Sequence, residues 1–127
     1  MELANVDTGS FAYRDITGQD KWVTWTPVAS ITVVGTPTYT GRFRIVGRQC
    51  FWQISAVAST SIATTAGTSY WELPVTAKGT SGMATMVNAS TNVAVGVGVI
   101  DVANSRVYPP SQAANASVFH VTGWHEV

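Results

Sequence analysis

The amino-acid sequence predicts an all-β fold, an antiparallel β-sandwich of the jelly-roll kind. The first observation is composition, because the chain contains 18 Val, 17 Thr and 6 Ile but only 2 Leu. Side chains branched at Cβ lose rotamer freedom in a helix and pack well on a pleated sheet, whereas Leu normally fills helical cores. The second observation is that about eight short segments follow one another at regular spacing with turn signals between them, which is typical of sandwiches and jelly rolls.

The size and weak charge of the chain exclude several classes of protein. Its 127 residues are the length of one domain, and 46% of them are hydrophobic but only 11% charged. Seven basic and seven acidic residues give a net charge of zero, so we expect no nucleic acid partner. No apolar run of about 18 residues occurs, so we expect no membrane insertion. The lone Cys50 excludes an intrachain disulfide and a cysteine zinc site.

The predicted elements begin after an extended N-terminal arm. Residues 1–20 are rich in turn formers and lack periodicity, so we predict an arm or linker there and a β-sandwich domain over residues 21–127. The predicted strands are Lys21–Thr26, Ala29–Val34, Thr38–Val46, Gln49–Ala58, Tyr70–Val75, Met83–Val87, Asn92–Val102 and Ser117–Trp124.

Turn signals and alternation justify the first four strands. The first ends at Pro27 and the second at Gly35-Thr36-Pro37, because proline cannot donate to a strand ladder. The third and fourth are joined by Gly47-Arg48, where glycine tolerates the positive φ of a hairpin turn. In the fourth strand, alternation places Trp52 on one face with Ile54, which predicts a core position.

The remaining strands are separated by two predicted loops rich in small residues, at 59–67 and 76–82. Between these loops, the fifth strand ends at Leu73-Pro74, and Trp71 shares a face with Leu73 and so is predicted to be core. In the seventh strand, alternating valines occupy one face. Its other face carries only Ala94, Gly96 and Gly98, which predicts close approach of another backbone or ring.

Three segments resemble motifs of one protein family. The first, Trp22-Val23-Thr24-Trp25-Thr26-Pro27, is similar to a W-x-x-[YW]-T-P opening. The second, residues 39–52, is similar to a G-x-Y-x-x-x-G-[KR]-x-[VC] hairpin, with Phe43 at the aromatic position and Gly47-Arg48 at the turn. The third is Leu73-Pro74. In this order, over roughly residues 22 to 124, the segments resemble the C-terminal domains of bacteriophage tail fibres and related receptor-binding tail proteins.

The resemblance implies a non-enzymatic, trimeric tip domain at the distal end of a fibre. Residues 1–20 would lead into the stalk, and other fibre or tail proteins would be partners. The implied localisation is the virion, after assembly in the cytoplasm of the bacterial host. Each motif also has an ordinary structural interpretation, as packed tryptophans, a hairpin turn or a strand end.

A homotrimer is also predicted from the apolar residues that alternation turns outward. These are Val46, Phe51, Val118 and Trp124, and a contiguous exposed patch of this kind normally marks an interface. In such a trimer the small-residue face of the seventh strand would lie against another sheet or near the three-fold axis.

Few residues could support catalysis. Four of the seven acids lie in the first 20 residues and one lies near the C-terminus, so a paired-carboxylate glycosidase would need Glu72 and Asp101. His120 and His125 are on opposite faces of one strand and cannot bind the same metal. No nucleophile elbow, phosphate loop or dinucleotide fingerprint is present. We therefore expect no enzyme activity, no cofactor and no metal.

The last predicted strand carries the candidate ligand-binding face. Alternation turns Phe119 and Val121 to one side and His120, Thr122 and Trp124 to the other. This mixed face is either a sugar site or a hydrated contact between subunits. For the sugar site we expect Trp124 to stack on a pyranose and His120 to bind a hydroxyl, with Arg44 as a partner.

Two features of this hypothesis remain open from the sequence alone. The face that carries Arg42, Arg44 and Arg48 is either part of the site or an ordinary solvated face. The loops at 60–70 and 108–115 are the alternative location for the ligand.

The predicted ligand is host cell-surface polysaccharide or glycan. The other candidate functions are a purely structural trimeric fibre or capsid appendage domain and a free carbohydrate-binding module.

Overall fold

The computed structural model describes residues 21–127, in which all regular structure is β-strand. The strands are β1 (Val23–Trp25), β2 (Ala29–Ser30), β3 (Thr32–Val34), β4 (Thr38–Val46), β5 (Gln49–Val57), β6 (Ser61–Thr64), β7 (Tyr70–Glu72), β8 (Gly82–Asn88), β9 (Val93–Asp101), β10 (Arg106–Tyr108), β11 (Gln112–Asn115) and β12 (Val118–Glu126). Within this range no helix is long and apolar enough to cross a membrane. The predicted arm, residues 1–20, lies outside the described residues.

The strands form two antiparallel sheets, which confirms the predicted fold class. Nine strands form one sheet in the order β1-β4-β5-β12-β8-β9-β10-β7-β2, and three form a second sheet in the order β11-β6-β3. The large sheet is curled into a half-barrel, an arrangement compatible with a sandwich. Its central strands β4, β5 and β12 have nine residues each and are paired along almost their whole length.

The core lies on the inner face of the large sheet. Strict alternation along β5 buries Cys50, Trp52, Ile54 and Ala56 and leaves the intervening side chains facing outward. Trp52 and Trp71 are almost completely buried, so their predicted core positions are confirmed. The same buried cluster includes Ile62 from the small sheet and Phe119 and Val121 from β12.

The two glycines of β9 bring this strand against the chain segment that leaves β10. A Cβ on Gly98 would lie 2.8 Å from the carbonyl oxygen of Tyr108, and a Cβ on Gly96 would lie 3.2 Å from Cβ of Pro110. The neighbour is backbone at Gly98 and the ring of Pro110 at Gly96, so the predicted close approach of a backbone or ring is confirmed at these two positions. Ala94 is different, because a β-bulge between Ala94 and Gly96 breaks the alternation and leaves Ala94 exposed.

One predicted strand is in fact two. The segment Ala29–Val34 divides at Ile31, since β2 pairs with β7 in the large sheet whereas β3 pairs with β6 in the small sheet. The sequence shows a single β-branched run there because both short strands favour the same residue types. Only the partners of each strand reveal that the chain changes sheet.

Two segments predicted as loops contain strands. The predicted loop at 59–67 includes β6, in which Ile62 is buried, and the predicted loop after Tyr108 includes β11. The short strand β10 was also not predicted. All three strands have only three or four residues, and β6 and β11 are rich in Ser, Ala and Asn, so the conformation of these two comes mainly from pairing in the folded sheet and not from local propensity.

Candidate functional site

The outer face of the large sheet, opposite the core, carries side chains from neighbouring strands in aligned rows. The register pairs β4 with β5 and β5 with β12, so outward residues of the three strands stand side by side. The rows are Thr40, Ser55 and His120, then Arg42, Gln53 and Thr122, then Arg44, Phe51 and Trp124. The last set is called the aromatic row below.

A shallow groove of about 440 Å³ lies over the first two rows. It is lined by Thr24, Thr40, Gly41, Arg42, Gln53, Ile54, Ser55, His120 and Thr122. These residues bring hydroxyl, amide, guanidinium and imidazole groups to one surface, and none of the described lining residues is acidic. The groove can therefore offer several hydrogen-bond donors and acceptors to a polar ligand.

Arg42 is held in a defined position over the groove. Its Nε donates a hydrogen bond to Oε1 of Gln53 at 2.9 Å, across the β4–β5 pair. Its guanidinium carbon also lies 4.9 Å from the ring centroid of Trp22, a cation–π distance. Because Nε is occupied by Gln53, the terminal guanidinium nitrogens are the donors that a ligand would meet.

The three predicted site residues all lie on the outer face, but the structure does not bring them to one point. His120 is exposed and lines the groove, whereas Trp124 and Arg44 are half-buried on either side of Phe51 in the aromatic row. His120 and Trp124 are four residues apart on β12, a distance of about 13 Å along a strand. One sugar ring cannot contact both of them, whereas a chain of two or three sugars can.

The other histidine of the last strand is part of the core. His125 is fully buried, and its Nε2 lies 2.9 Å from the carbonyl oxygen of Val75. Desolvation lowers the pKa of His125, against an opposing effect of the hydrogen bond with Val75. The predicted separation of His120 and His125 onto opposite faces is confirmed. Within residues 21–127, no three His, Cys, Asp or Glu side chains converge on a site for a metal ion.

The structure adds Gln53 and Ser55 to the site and places Arg42, on the face that the sequence left open, beside them. All three line the groove together with His120. Alternation correctly indicates that Arg42 shares a face with Arg44, but only the register between strands shows that Gln53 lies between Arg42 and Thr122. Arg48 is not part of this group, because it lies in the turn between β4 and β5.

A second cluster occupies the other end of the outer face and contains both candidate carboxylates. Arg106 on β10 is paired with Asp101 on β9 and with Glu72 on β7, and its guanidinium carbon lies 4.0 Å from the ring centroid of Tyr70. Asp101 accepts hydrogen bonds from Asn104 Nδ2 at 2.8 Å and from the Tyr108 hydroxyl at 3.2 Å.

The environment of Asp101 does not match that of a glycosidase acid. The hydrogen bond from the Asn104 side chain, aided by further hydrogen bonds, holds the pKa of the Asp101 carboxyl below its usual value. The general acid of a glycosidase needs a raised pKa so that it is protonated at neutral pH. Asp101 therefore does not have the raised pKa of a general acid.

A patch of exposed apolar side chains borders the site on its other side. We call this set the valine patch; it consists of Val97, Val99, Met83 and Val87, with exposed fractions of 70%, 64%, 55% and 37%. Met83 is paired with Trp124 and Val87 with His120, so the patch continues directly from β12. Of the apolar residues predicted to face outward, Val46 is exposed, but Phe51, Val118 and Trp124 are half-buried.

Comparison of the chain with family models, with curated proteins and with solved structures finds no match. The likeness to bacteriophage tail proteins therefore rests on the three sequence motifs.

Proposed function

We propose that the chain is a non-enzymatic receptor-binding domain of a phage tail fibre that recognises a glycan on the bacterial surface as a homotrimer. The main support for a binding function is the outer face of β4, β5 and β12, where the groove adjoins the aromatic row. The three sequence motifs in family order support the assignment to a fibre tip. The proposed partners are further copies of the chain and other fibre or tail proteins, and the proposed localisation is the virion.

The chemistry of the outer face suits a saccharide chain. Sugar rings present C–H faces that pack on aromatic side chains and hydroxyls that both donate and accept hydrogen bonds. The groove supplies Arg42, Gln53, Ser55 and Thr122 for the hydroxyls, with His120 at its edge. The aromatic row supplies Trp124 at a distance of one or two sugar units. An open groove on a rigid sheet also lets a polymer enter and leave at both ends.

Binding at one such site is expected to be weak. A shallow site with one aromatic face and a few hydrogen bonds would bind near millimolar, about −4 kcal/mol. Three equivalent sites on one tip, and several tips on one particle, can strengthen attachment by roughly 10² to 10⁴ without any new contact. The proposed function therefore depends on the trimer as well as on the groove.

The valine patch is the surface that we propose for the contact between copies of this chain. Complete burial of a Val or Met side chain contributes about 1.5–3 kcal/mol, so covering these four partly exposed side chains would contribute several kcal/mol per copy. The patch contains no charged group that would select a different partner, and an apolar surface is complementary to itself around a symmetry axis. β12 then lies between the sugar site and the subunit contact.

A panel of bacterial strains and their purified surface polysaccharides tests the proposal. We expect the full chain to adsorb to some strains, and the variant Trp124→Ala to lose most of this adsorption while it remains folded and trimeric. Tyr70→Ala is the matched control, because Tyr70 is an aromatic residue of the same sheet four strands away from β12. Equal adsorption by wild type and Trp124→Ala would remove Trp124 from the site.

The purely structural alternative has one observation in its favour, the valine patch itself. A trimer that binds none of the strains or polysaccharides would support a domain that only caps or aligns a fibre. A monomer that binds polysaccharide would instead support a free carbohydrate-binding module.

A further inference from the structure

Two guanidinium groups of the outer face share one aromatic ring. The guanidinium carbons of Arg42 and Arg44 lie 4.9 Å and 5.3 Å from the ring centroid of Trp22. Arg44 also lies 6.0 Å from the ring centroid of Phe51. The arrangement concentrates two permanent positive charges beside the groove, where they repel each other.

Within residues 21–127, no acidic side chain is paired with Arg42 or Arg44. Residues 21–127 contain six Lys and Arg residues but only three acids, which are Glu72, Asp101 and Glu126. None of the three lines the groove or belongs to the three rows described above, although Glu126 occupies the next row, with Val46 and Gln49. Glu126 lies against Gly79, beyond the end of the aromatic row.

Arg106 differs from Arg42 in the charge of the residues paired with it on the adjacent strands. Its neighbours on both adjacent strands are carboxylates, Asp101 on one side and Glu72 on the other. The pKa of Arg106 is raised, mainly by a hydrogen bond with Tyr108. The residues paired with Arg42 on its two adjacent strands are instead neutral, Gln53 and Thr24.

The two arginines also differ in the hydrogen bonds that their side-chain donors make. Arg42 uses Nε to bind Gln53, which fixes the plane of its guanidinium group and leaves the terminal nitrogens available. The buried Nε of Arg44 has no hydrogen-bond partner among the described residues. The hydrogen bonds that Arg44 could make to a ligand would therefore come from its terminal guanidinium nitrogens.

We infer that the groove takes an acidic saccharide, whose negative group is bound by Arg42 and Arg44. This inference rests on the proposed function and specifies its ligand. The planar guanidinium fork binds a carboxylate or a phosphate through paired hydrogen bonds. The sugar hydroxyls lie toward Ser55, His120 and Thr122 in the adjoining part of the groove. The negative group is a sugar carboxylate or a phosphodiester that links sugars or polyols.

The test uses full-length protein and a set of polymers that differ in their charge. Polygalacturonate, alginate, hyaluronate and polysialate carry carboxylates, and each is compared with its own carboxyl-reduced, neutral form. A poly(glycerol phosphate) teichoic acid represents the phosphodiester class. We expect at least one acidic polymer to bind ten-fold or more tightly than its neutral form or than dextran, with affinity that falls as NaCl rises from 50 to 500 mM.

Paired variants locate the charge that is responsible. We expect Arg42→Gln to weaken binding of the acidic polymer about ten-fold and to weaken binding of its neutral form by a smaller factor, because a glutamine amide can still bind hydroxyls. Arg106→Gln removes the same charge from the same sheet and is expected to leave binding unchanged. Preference for carboxylate over phosphodiester polymers, or the reverse, identifies the source of the negative group.

Several results would overturn the inference. If a neutral form binds as tightly as its acidic parent, the inference is wrong but glycan recognition stands. The same conclusion follows if only neutral glycans bind. Equal losses in Arg42→Gln and Arg106→Gln would show a general charge effect in place of a site. If no polymer, acidic or neutral, and no bacterial surface binds, both the inference and the proposed function are wrong.

Discussion

The Nε–H of Arg42 is bonded to the side-chain oxygen of Gln53 at 2.9 Å, and this contact fixes a charged group over the candidate groove. Arg42 has a long side chain with many rotamers, so holding it in one orientation before the ligand arrives reduces the entropy that binding would otherwise lose. Gln53 thus contributes to the site both as a lining residue and as a positioning residue for Arg42.

The first prediction concerns this contact. Gln53→Leu is expected to weaken glycan binding by roughly three- to ten-fold, since one hydrogen bond to a charged group contributes about 1.5 kcal/mol or less at a hydrated site. Titration calorimetry of wild type and variant gives the affinity, and urea unfolding shows whether the fold is intact. Gln112→Leu, on β11 of the small sheet, is the control. Unchanged affinity in Gln53→Leu would show that Arg42 needs no support.

The second prediction concerns the buried histidine. Because desolvation lowers the pKa of His125 in the folded protein, the unfolded chain binds the proton more readily. The contribution of the neutral, buried His125 to the free energy of unfolding is therefore fully present above about pH 6.5, the ordinary pKa of His. It is lost as the pH falls from there toward the folded pKa, with a slope that approaches about 1.4 kcal/mol per pH unit.

Urea unfolding between pH 8 and pH 5 measures this dependence. His125→Gln is expected to show a flatter profile over that range, and the exposed His120→Gln is expected to keep the wild-type profile. If the two variants have the same pH dependence, burial of His125 does not control acid stability.

The third prediction concerns Gly98. A methyl group there would lie 2.8 Å from the carbonyl oxygen of Tyr108 and 3.3 Å from Cβ of Ala84, both of which are held by strand pairing. Gly98→Ala is expected to lower the free energy of unfolding by about 1–3 kcal/mol through overpacking. Gly47→Asn is the control, because Gly47 has φ 61°, which Asn tolerates, and has no atom within 4 Å of an added Cβ. Equal stability of both variants would show that β9 can move away from β10.

The fourth prediction concerns the valine patch. Val97→Lys is expected to convert the trimer into a monomer without loss of the fold, because it places a charge in an apolar contact. Light scattering should give three times the 13.5 kDa chain mass for wild type and the single-chain mass for the variant. Val57→Lys, at an exposed position on β5, which β12 separates from the patch, should remain trimeric. A wild-type protein that is monomeric at micromolar concentration would contradict the proposed trimer.

The sequence was sufficient to predict the fold class and the long strands. Alternation along Gln49–Val57 and Val118–Glu126 is regular, because one face of each strand is buried over its whole length. It therefore predicted the core position of Trp52 and the separation of Phe119 from His120 and Trp124 on the two faces of the last strand. The turn at Gly47 was equally clear, since its backbone has the positive φ that glycine favours.

The errors arise where pairing between distant segments decides the structure. The change of sheet at Ile31, the strand around Ile62 and the bulge before Gly96 depend on partners far along the chain. The same limitation applies to the candidate site. Arg42 and Gln53 become neighbours only through the β4–β5 register, and alternation within one strand gives no information about the residues beside it.

The most direct test of the central claim is to map the ligand contact by NMR chemical-shift perturbation. Isotope-labelled full-length protein is titrated with the polysaccharide that binds best in the panel. We expect the largest amide shifts to follow the outer face of β4, β5 and β12, centred on Arg42, Gln53 and Thr122. Shifts confined to the loops at 60–70 and 108–115, or to the neighbourhood of Arg106, would contradict the proposed site.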